Sequence, residues 1–344
     1  MEIKVPEKHK KPGVCYVVTD DGLELPVIDI THPAFAVEMS QAELEGLTEK
    51  HLHAARARAR TPAFVTKLFL ALCRRHSILV RSHMDSRQSF VSALTTYLVK
   101  LGPDNLGVGY AGRIDRKFAS ALPCLSARLR LQDVARLLAE GLAPALIARP
   151  RSAVRLLNIG GGAATDSLNA LILLRKSHAE LLAGRKVSIS CLDLEEAGPR
   201  FAGRALSALR AAGGPLDGMD IAFEHVVYNW ADTAGLRQAI AAFGPTVAAG
   251  GSSEGALFDY GSEREIVSNL DALRNGTPDD FTMAGTITRD SEVLKGGMDA
   301  GHLTFRPRKP NAFRELVRPA GWEVVRMIDR PLSHDFLLRK TAVR

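Results

Sequence analysis

The sequence predicts an α/β fold, a parallel sheet covered by helices on both faces and preceded by a mostly helical N-terminal cap. Three observations carry this. From residue 154 onward, short apolar runs alternate with amphipathic stretches, as strand-helix units do. The first run enters three consecutive glycines, Gly160, Gly161 and Gly162, and a helical pattern leaves them. Between about 40 and 150, apolar residues recur three and four apart, the period of helices that face a core.

In chain order, CYVVTDDGLELPVIDI (15–30) holds Asp21-Gly22 between two β-prone runs and reads as a hairpin. QAELEGLTEKHLHAARARAR, PAFVTKLFLALCRRHSILV, SRQSFVSALTTYLVKL and LQDVARLLAEGLAPALIA follow with helical spacing. The glycine-containing stretch PDNLGVGYAGRID (103–115) breaks that series. Pro150 marks a boundary, giving residues 1–150 as hairpin plus cap and 151–344 as the sheet domain. The length of 344 residues fits two such domains. VRLLNIG (154–160) is continuously apolar, as a strand buried on both faces must be. KVSISCLDL, IAFEHVVYNW, PTVAAGGSS and FTMAGTIT are the next four strands, each separated by a helix. NAFRELVRPAG is the last helix, and GWEVVRMID and SHDFLLRKT form a terminal strand pair.

Composition narrows the function. Met1 to Lys11 is charged and lacks the apolar segment of a secretory leader, and no run reaches the roughly 20 apolar residues of a membrane span. The four cysteines are scattered, with no CxxC and no Cys/His cluster, which argues against a zinc site or disulfide framework and for a reducing cytosol. A cytoplasmic chain with no metal is the expectation. Residues 51–155 hold 18 Lys/Arg against 5 Asp/Glu. That excess is either a footprint for phosphates or the solvated face of Arg-rich helices. Few aromatics interleave with the arginines, which disfavours a nucleic-acid partner.

In an open parallel sheet, ligands sit beyond the carboxyl ends of the strands, where winding reverses. Glycines after the first strand let a ligand approach bare backbone, and the helix that follows offers free N–H groups. The second strand ends on Asp193, a carboxylate placed to accept ribose hydroxyls. Glycine loop and acid occur in the right order for a nucleoside ligand. Asn158-x-Gly160-x-Gly162-x-Ala164 lacks the third glycine of a pyrophosphate fingerprint. With the terminal strand pair, it resembles the first motif of class I S-adenosylmethionine-dependent methyltransferases, acid-x-Gly-x-Gly-x-Gly. The resemblance spans roughly residues 150–344 and implies a seven-stranded Rossmann-like sheet with the last strand antiparallel. It implies S-adenosyl-L-methionine as cofactor, with Gly160 to Gly162 under the methionine and ribose, and Asp193 on the ribose. It also places Asn229 and Trp230 beside the adenine, and Ser252 and Ser253 facing the sulfonium. The sequence departs from the family twice. Asn158 stands where the family carries an acid, and the spacing from Gly162 to Asp193 is long, which keeps Glu195 and Glu196 open as alternatives.

Methyl transfer needs alignment and exclusion of water, and a base only where the acceptor must lose a proton. The candidates are Glu254, His302 and Tyr110 for catalysis, and Arg113, Asp259 and Tyr260 for holding the acceptor. His225 reads as a core residue and His334 as a turn residue or a second histidine near the site. The stretch 103–115 reads as a hinged lid. The leading expectation is methyl transfer to a small molecule, with secondary metabolism as the favoured setting and a homo-oligomer left open. The rivals are an RNA or protein methyltransferase using the basic N-terminal half, a nicotinamide-dependent oxidoreductase, and a non-catalytic binding protein of the same fold.

Overall fold

The computed structural model describes residues 3–84, 92–107, 112–244, 246–291 and 305–342. The hairpin pairs β1 (Tyr16–Val18) with β2 (Glu24–Pro26) antiparallel, Tyr16 opposite Pro26. The helical segment follows as α1 (Gln41–Ala59), α2 (Ala63–His76), α3 (Ile78–Met84), α4 (Ala93–Leu101), α5 (Arg113–Ala119) and α6 (Leu122–Ala148). Strand-helix units then run β3 (Val154–Ile159), α7 (Thr165–Ser177), β4 (Lys186–Asp193), α8 (Ala197–Leu209), β5 (Asp220–Val227) and α9 (Ala234–Ala241). They continue with β6 (Ala248–Ser253), α10 (Leu257–Tyr260), α11 (Glu263–Gly276), β7 (Thr282–Thr288) and α12 (Pro310–Val317). β8 (Trp322–Asp329) and β9 (Ser333–Lys340) end the chain.

The sheet has seven strands in the order β5-β4-β3-β6-β7-β9-β8. β3 to β7 are parallel, and β9 runs antiparallel to both β7 and β8. Winding reverses between β3 and β6, so ligand chemistry belongs at their carboxyl ends. Alternate residues of β3 feed the two faces. Val154 and Leu156 pack with Leu138 and Leu142 of α6 and Leu171 of α7, while Leu157 and Ile159 pack with Leu257, Leu270 and Met283 on the other side.

The apolar core crosses residue 150. Leu25, Ile28 and Phe35 of the N-terminal segment share one cluster with α6, β3, β4 and α7. Asn169 on α7 accepts from Ile30 N at 2.8 Å and donates to Ile28 O at 3.0 Å, tying the hairpin's exit to the sheet's first helix. α6 lies directly on the sheet. A Cβ at Gly141 would come within 2.4 Å of Thr282 Oγ1, so the close approach of helix to strand needs glycine there.

Candidate active site

The three glycines stand between β3 and α7 for separable reasons. Gly160 and Gly162 have φ of +63° and +50°, the left-handed region that disfavours any side chain. Gly161 has ordinary backbone, but a Cβ there would lie 2.6 Å from Asn158 Oδ1 and 2.8 Å from Cys191 Sγ. A Cβ at Gly160 would meet Ala256 Cβ at 2.4 Å and the Trp230 ring at 3.3 Å. The protein's own packing therefore demands part of what the sequence assigned to a ligand. Gly160 N donates to Leu192 O at 2.7 Å and joins the loop to the end of β4.

Asp193 is the acid at this loop. Its Oδ2 accepts from Gly162 N at 2.7 Å and its Oδ1 from Glu195 N at 2.8 Å. The long spacing from Gly162 is absorbed by α7 and a 3-10 turn at Ala179–Leu181. Glu195 instead receives Ala93 N on its Oε2 at 2.8 Å, and Glu196 is exposed and pairs with Arg200. Asp193 is half-buried and flanked by two exposed apolar side chains, Leu194 (47%) and Val227 (64%), which sequence reasoning passed over. His225 Nε2 lies 3.0 Å from Asp193 O, on a strand as expected but half-buried.

Beside the next strand, Asn229 is exposed and its Oδ1 accepts from Ala231 N at 3.0 Å, an ordinary turn. Trp230 is half-buried, its ring against Gly160 and its carbonyl held by Asn269 Nδ2 at 2.8 Å. Ser252 and Ser253 are fully buried. Ser253 Oγ is used by Leu257 N at 3.1 Å, which starts α10, and Ser252 Oγ lies 3.5 Å from Ser167 Oγ.

The segment laid over the glycine loop is the start of α4. Ala93 Cβ lies 3.3 Å from where a Cβ of Gly162 would stand and 2.6 Å from that of Gly198. Tyr110 and His302 lie outside the described residues. Arg113 is exposed on the first turn of α5. That helix is anchored by buried Asp115, whose Oδ1 accepts from Ser77 Oγ at 2.5 Å and Leu79 N at 3.0 Å.

Beneath α4 and α6 lies a buried set of charges. The Glu254 side chain is 4% exposed, and its two oxygens are taken by Lys100 of α4 and Arg130 of α6. Burial alone would raise its pKa, but the two cations outweigh that and hold it below the ordinary carboxylate value. Asp259 is fully buried and accepts from Thr286 Oγ1 at 2.7 Å and from Thr288 Oγ1. Burial raises its pKa despite Arg130 and the two threonines. Glu254, expected to be catalytic, and Asp259, expected to hold the acceptor, thus spend their oxygens inside the protein. Tyr260 is half-buried and stacks near Phe305, ring centroids 4.8 Å apart. His334 is buried, with Nδ1 2.5 Å from Asp329 Oδ1.

Sequence reasoning missed three carboxylates. Asp133 on α6 receives Arg330 in a two-pronged contact at 2.6 and 3.0 Å. Asp335 on β9 is fully buried, and both its oxygens lack a hydrogen-bond partner among the described residues. Burial and neighbouring Asp133 push its pKa well above the ordinary value. Asp166, in the first turn of α7, accepts from Asn158 Nδ2 and from Ser167 N at 2.9 Å. Burial and then the Glu254 charge raise its pKa, against Lys100 and the Ser252 hydroxyl. One signal was available for it. A polar residue inside the apolar run of β3 needs a buried partner, and the next helix begins with one.

No family model matches this chain, and no curated protein matches it. Solved structures do. A Bordetella parapertussis protein described as a possible exported protein is 16% identical, with 89% of this chain and 98% of that one covered and a TM-score of 0.57. LepI in complex with SAM is 13% identical over 88% and 95%, with a TM-score of 0.47. The mitomycin 7-O-methyltransferase MmcR is 15% identical over 84% and 72%, at 0.40. No helix among the described residues is long and apolar enough to cross a membrane, and no group of three or more His, Cys, Asp or Glu there is placed to hold a metal ion. With β3 central, winding that reverses between β3 and β6, and β9 alone antiparallel, the chain has the seven-stranded Rossmann-like fold that the sequence resemblance implied.

Proposed function

We propose that the chain binds S-adenosyl-L-methionine across the glycine loop and transfers its methyl group to a small-molecule acceptor. The observation that carries this reading is the Asp193 carboxylate bonded to Gly162 N, at the carboxyl end of β4 and beside the point where the sheet's winding reverses. Each Asp193 oxygen has one N–H and lone pairs to spare, so the side chain fits a pair of ribose hydroxyls without giving up the loop. Leu194 and Val227 supply exposed apolar surface on the same edge, suited to the face of a purine. Two buried, unpartnered oxygens near the loop, Asn158 Oδ1 and Asp166 Oδ2, also fit a ligand bearing hydrogen-bond donors.

When bound, the cofactor supplies a methyl group already activated on a sulfonium. This chain's residues align the acceptor and keep water out. The carboxyl ends of β6 and β7, roofed by α4 and α6, are where the acceptor belongs. Glu254 does not serve as base in this reading, because both its oxygens are held by cations. His302, in the segment after β7, is the group we assign to take a proton where the acceptor has one to lose. Part of the basic surplus faces inward at Lys100 and Arg130, which favours a small acceptor over nucleic acid.

A second reading, binding without transfer, is favoured by Asn158 in place of the family's acid. Calorimetric titration with S-adenosylhomocysteine tests the shared part: saturable binding supports it, and a flat titration of folded protein overturns it. Methyl transfer from labelled cofactor into a panel of small phenols, amines and carboxylic acids then separates the two readings.

A further inference from the structure

Asn158 and Asp166 form a buried pair with acceptor capacity to spare. They are 0% and 4% exposed, and Asn158 Nδ2 donates to Asp166 Oδ1 and, at 3.1 Å, to Ser167 Oγ. That leaves Asn158 Oδ1 and Asp166 Oδ2 without a hydrogen-bond partner among the described residues. Buried oxygens in this condition are rare and costly, and a bound donor relieves them. The charged neighbours narrow which donor fits. Lys100 is the cation whose charge reaches Asp166, and it is committed to Glu254. Asp166 makes no ion pair among the described residues, and it sits in the first turn of α7, where helix N–H groups favour an anion. A ligand cation with several N–H donors meets these needs, and an aliphatic ammonium has three.

We propose that Asp166 and Asn158 receive the α-ammonium of the cofactor's amino-acid end, so that the anion the family-like motif would carry at position 158 is carried by Asp166 instead. This rests on the cofactor reading above. The side chain at 158 keeps its place as a hydrogen-bonding partner, and the negative charge stands one contact further on, at the start of α7.

The test is calorimetric titration of the full chain with three probes: S-adenosylhomocysteine, its analogue lacking the amino group, and 5′-methylthioadenosine, which lacks the amino-acid end altogether. The wild type should bind S-adenosylhomocysteine about tenfold or more tighter than the des-amino analogue, the scale of one charge-assisted hydrogen bond. Asp166→Asn should erase that preference and leave methylthioadenosine affinity within about twofold. The exchange Asn158→Asp with Asp166→Asn should restore the preference, because charge and partner only trade places. Equal loss for all three probes in folded Asp166→Asn assigns the residue a structural role and overturns the proposal. So does a wild type that binds the des-amino analogue as tightly as S-adenosylhomocysteine, though the cofactor reading survives that result. If no probe binds wild type, the cofactor reading itself falls and takes this inference with it.

Discussion

Replacing Glu254 by glutamine separates a structural anion from a catalytic one. The substitution keeps the shape of the side chain and deletes its charge, leaving Lys100 and Arg130, 8% and 18% exposed, facing a neutral amide. Breaking a buried ion pair by removing one partner costs about 3–5 kcal/mol. Asp166 and Asp259 lie close enough to offset part of that, so the low end, about 3 kcal/mol, applies. For a chain of 344 residues that is roughly 4 °C in Tm. The pH dependence gives a second handle. The folded pKa of Glu254 lies below its unfolded value of about 4.3, so its contribution is complete above that pH and lost as pH falls through the folded value. Thermal melts of wild type and Glu254→Gln followed by circular dichroism should differ at pH 7 and draw together only as pH falls below the ordinary carboxylate value and through the lowered folded value. Coincident melts at pH 7 would refute the argument that the triad holds the cap to the sheet. If turnover were lost in such a protein, Glu254 would return as a catalytic residue.

Three further outcomes are expected. Asp193→Ala should weaken S-adenosylhomocysteine binding by about 1.5–3 kcal/mol in calorimetry, whereas Glu195→Ala should leave it within about threefold, since Glu195 holds Ala93 rather than the loop. Gly161→Ala should destabilise the protein by about 1–3 kcal/mol in urea unfolding, because its methyl would fall 2.6 Å from Asn158 Oδ1; an unchanged midpoint would show that the loop has slack. Asp335→Asn should stabilise the protein near pH 8. The raised folded pKa means the native state holds a proton that the unfolded chain releases above about pH 3.9, so stability falls by about 1.4 kcal/mol per pH unit up to the folded value. The asparagine variant should lack that slope, and parallel pH profiles of Tm would contradict the assignment.

The sheet was legible because its signal is local. An uninterrupted apolar run such as VRLLNI can be buried on both faces wherever the chain later goes, and Asp193 closes a strand whose pattern is equally plain. The site was less legible because polar side chains are claimed by partners far away in sequence. Asp259 looks like a loop acid until Thr286 and Thr288, 27 and 29 residues on, close over it. Ser253 ends a strand that points toward a ligand site, yet its hydroxyl starts the next helix. Periodicity gave α6 an apolar face without naming what that face would meet, so a helix read as cap lies against β6, β7 and β9.

The charge count hid a similar ambiguity. A basic excess in residues 51–155 read as a phosphate footprint or a solvated face, and part of it is neither. Lys100 and Arg130 compensate Glu254 from beyond residue 150, Arg149 pairs with Asp280, and Asp133 and Glu140 answer Arg330 and Arg326. The exposed pairs contribute little, but the Glu254 triad and the Asp133–Arg330 contact are largely out of water. Lifting α6 from the sheet would separate those ions and uncover the apolar face that holds Leu138 and Leu142. The first residues of α4 are tied more lightly, at Ala93 by one backbone hydrogen bond to Glu195 and contact with two glycines. The least costly way to open the glycine loop to a ligand is therefore to swing the start of α4 away while α6 stays seated on the sheet.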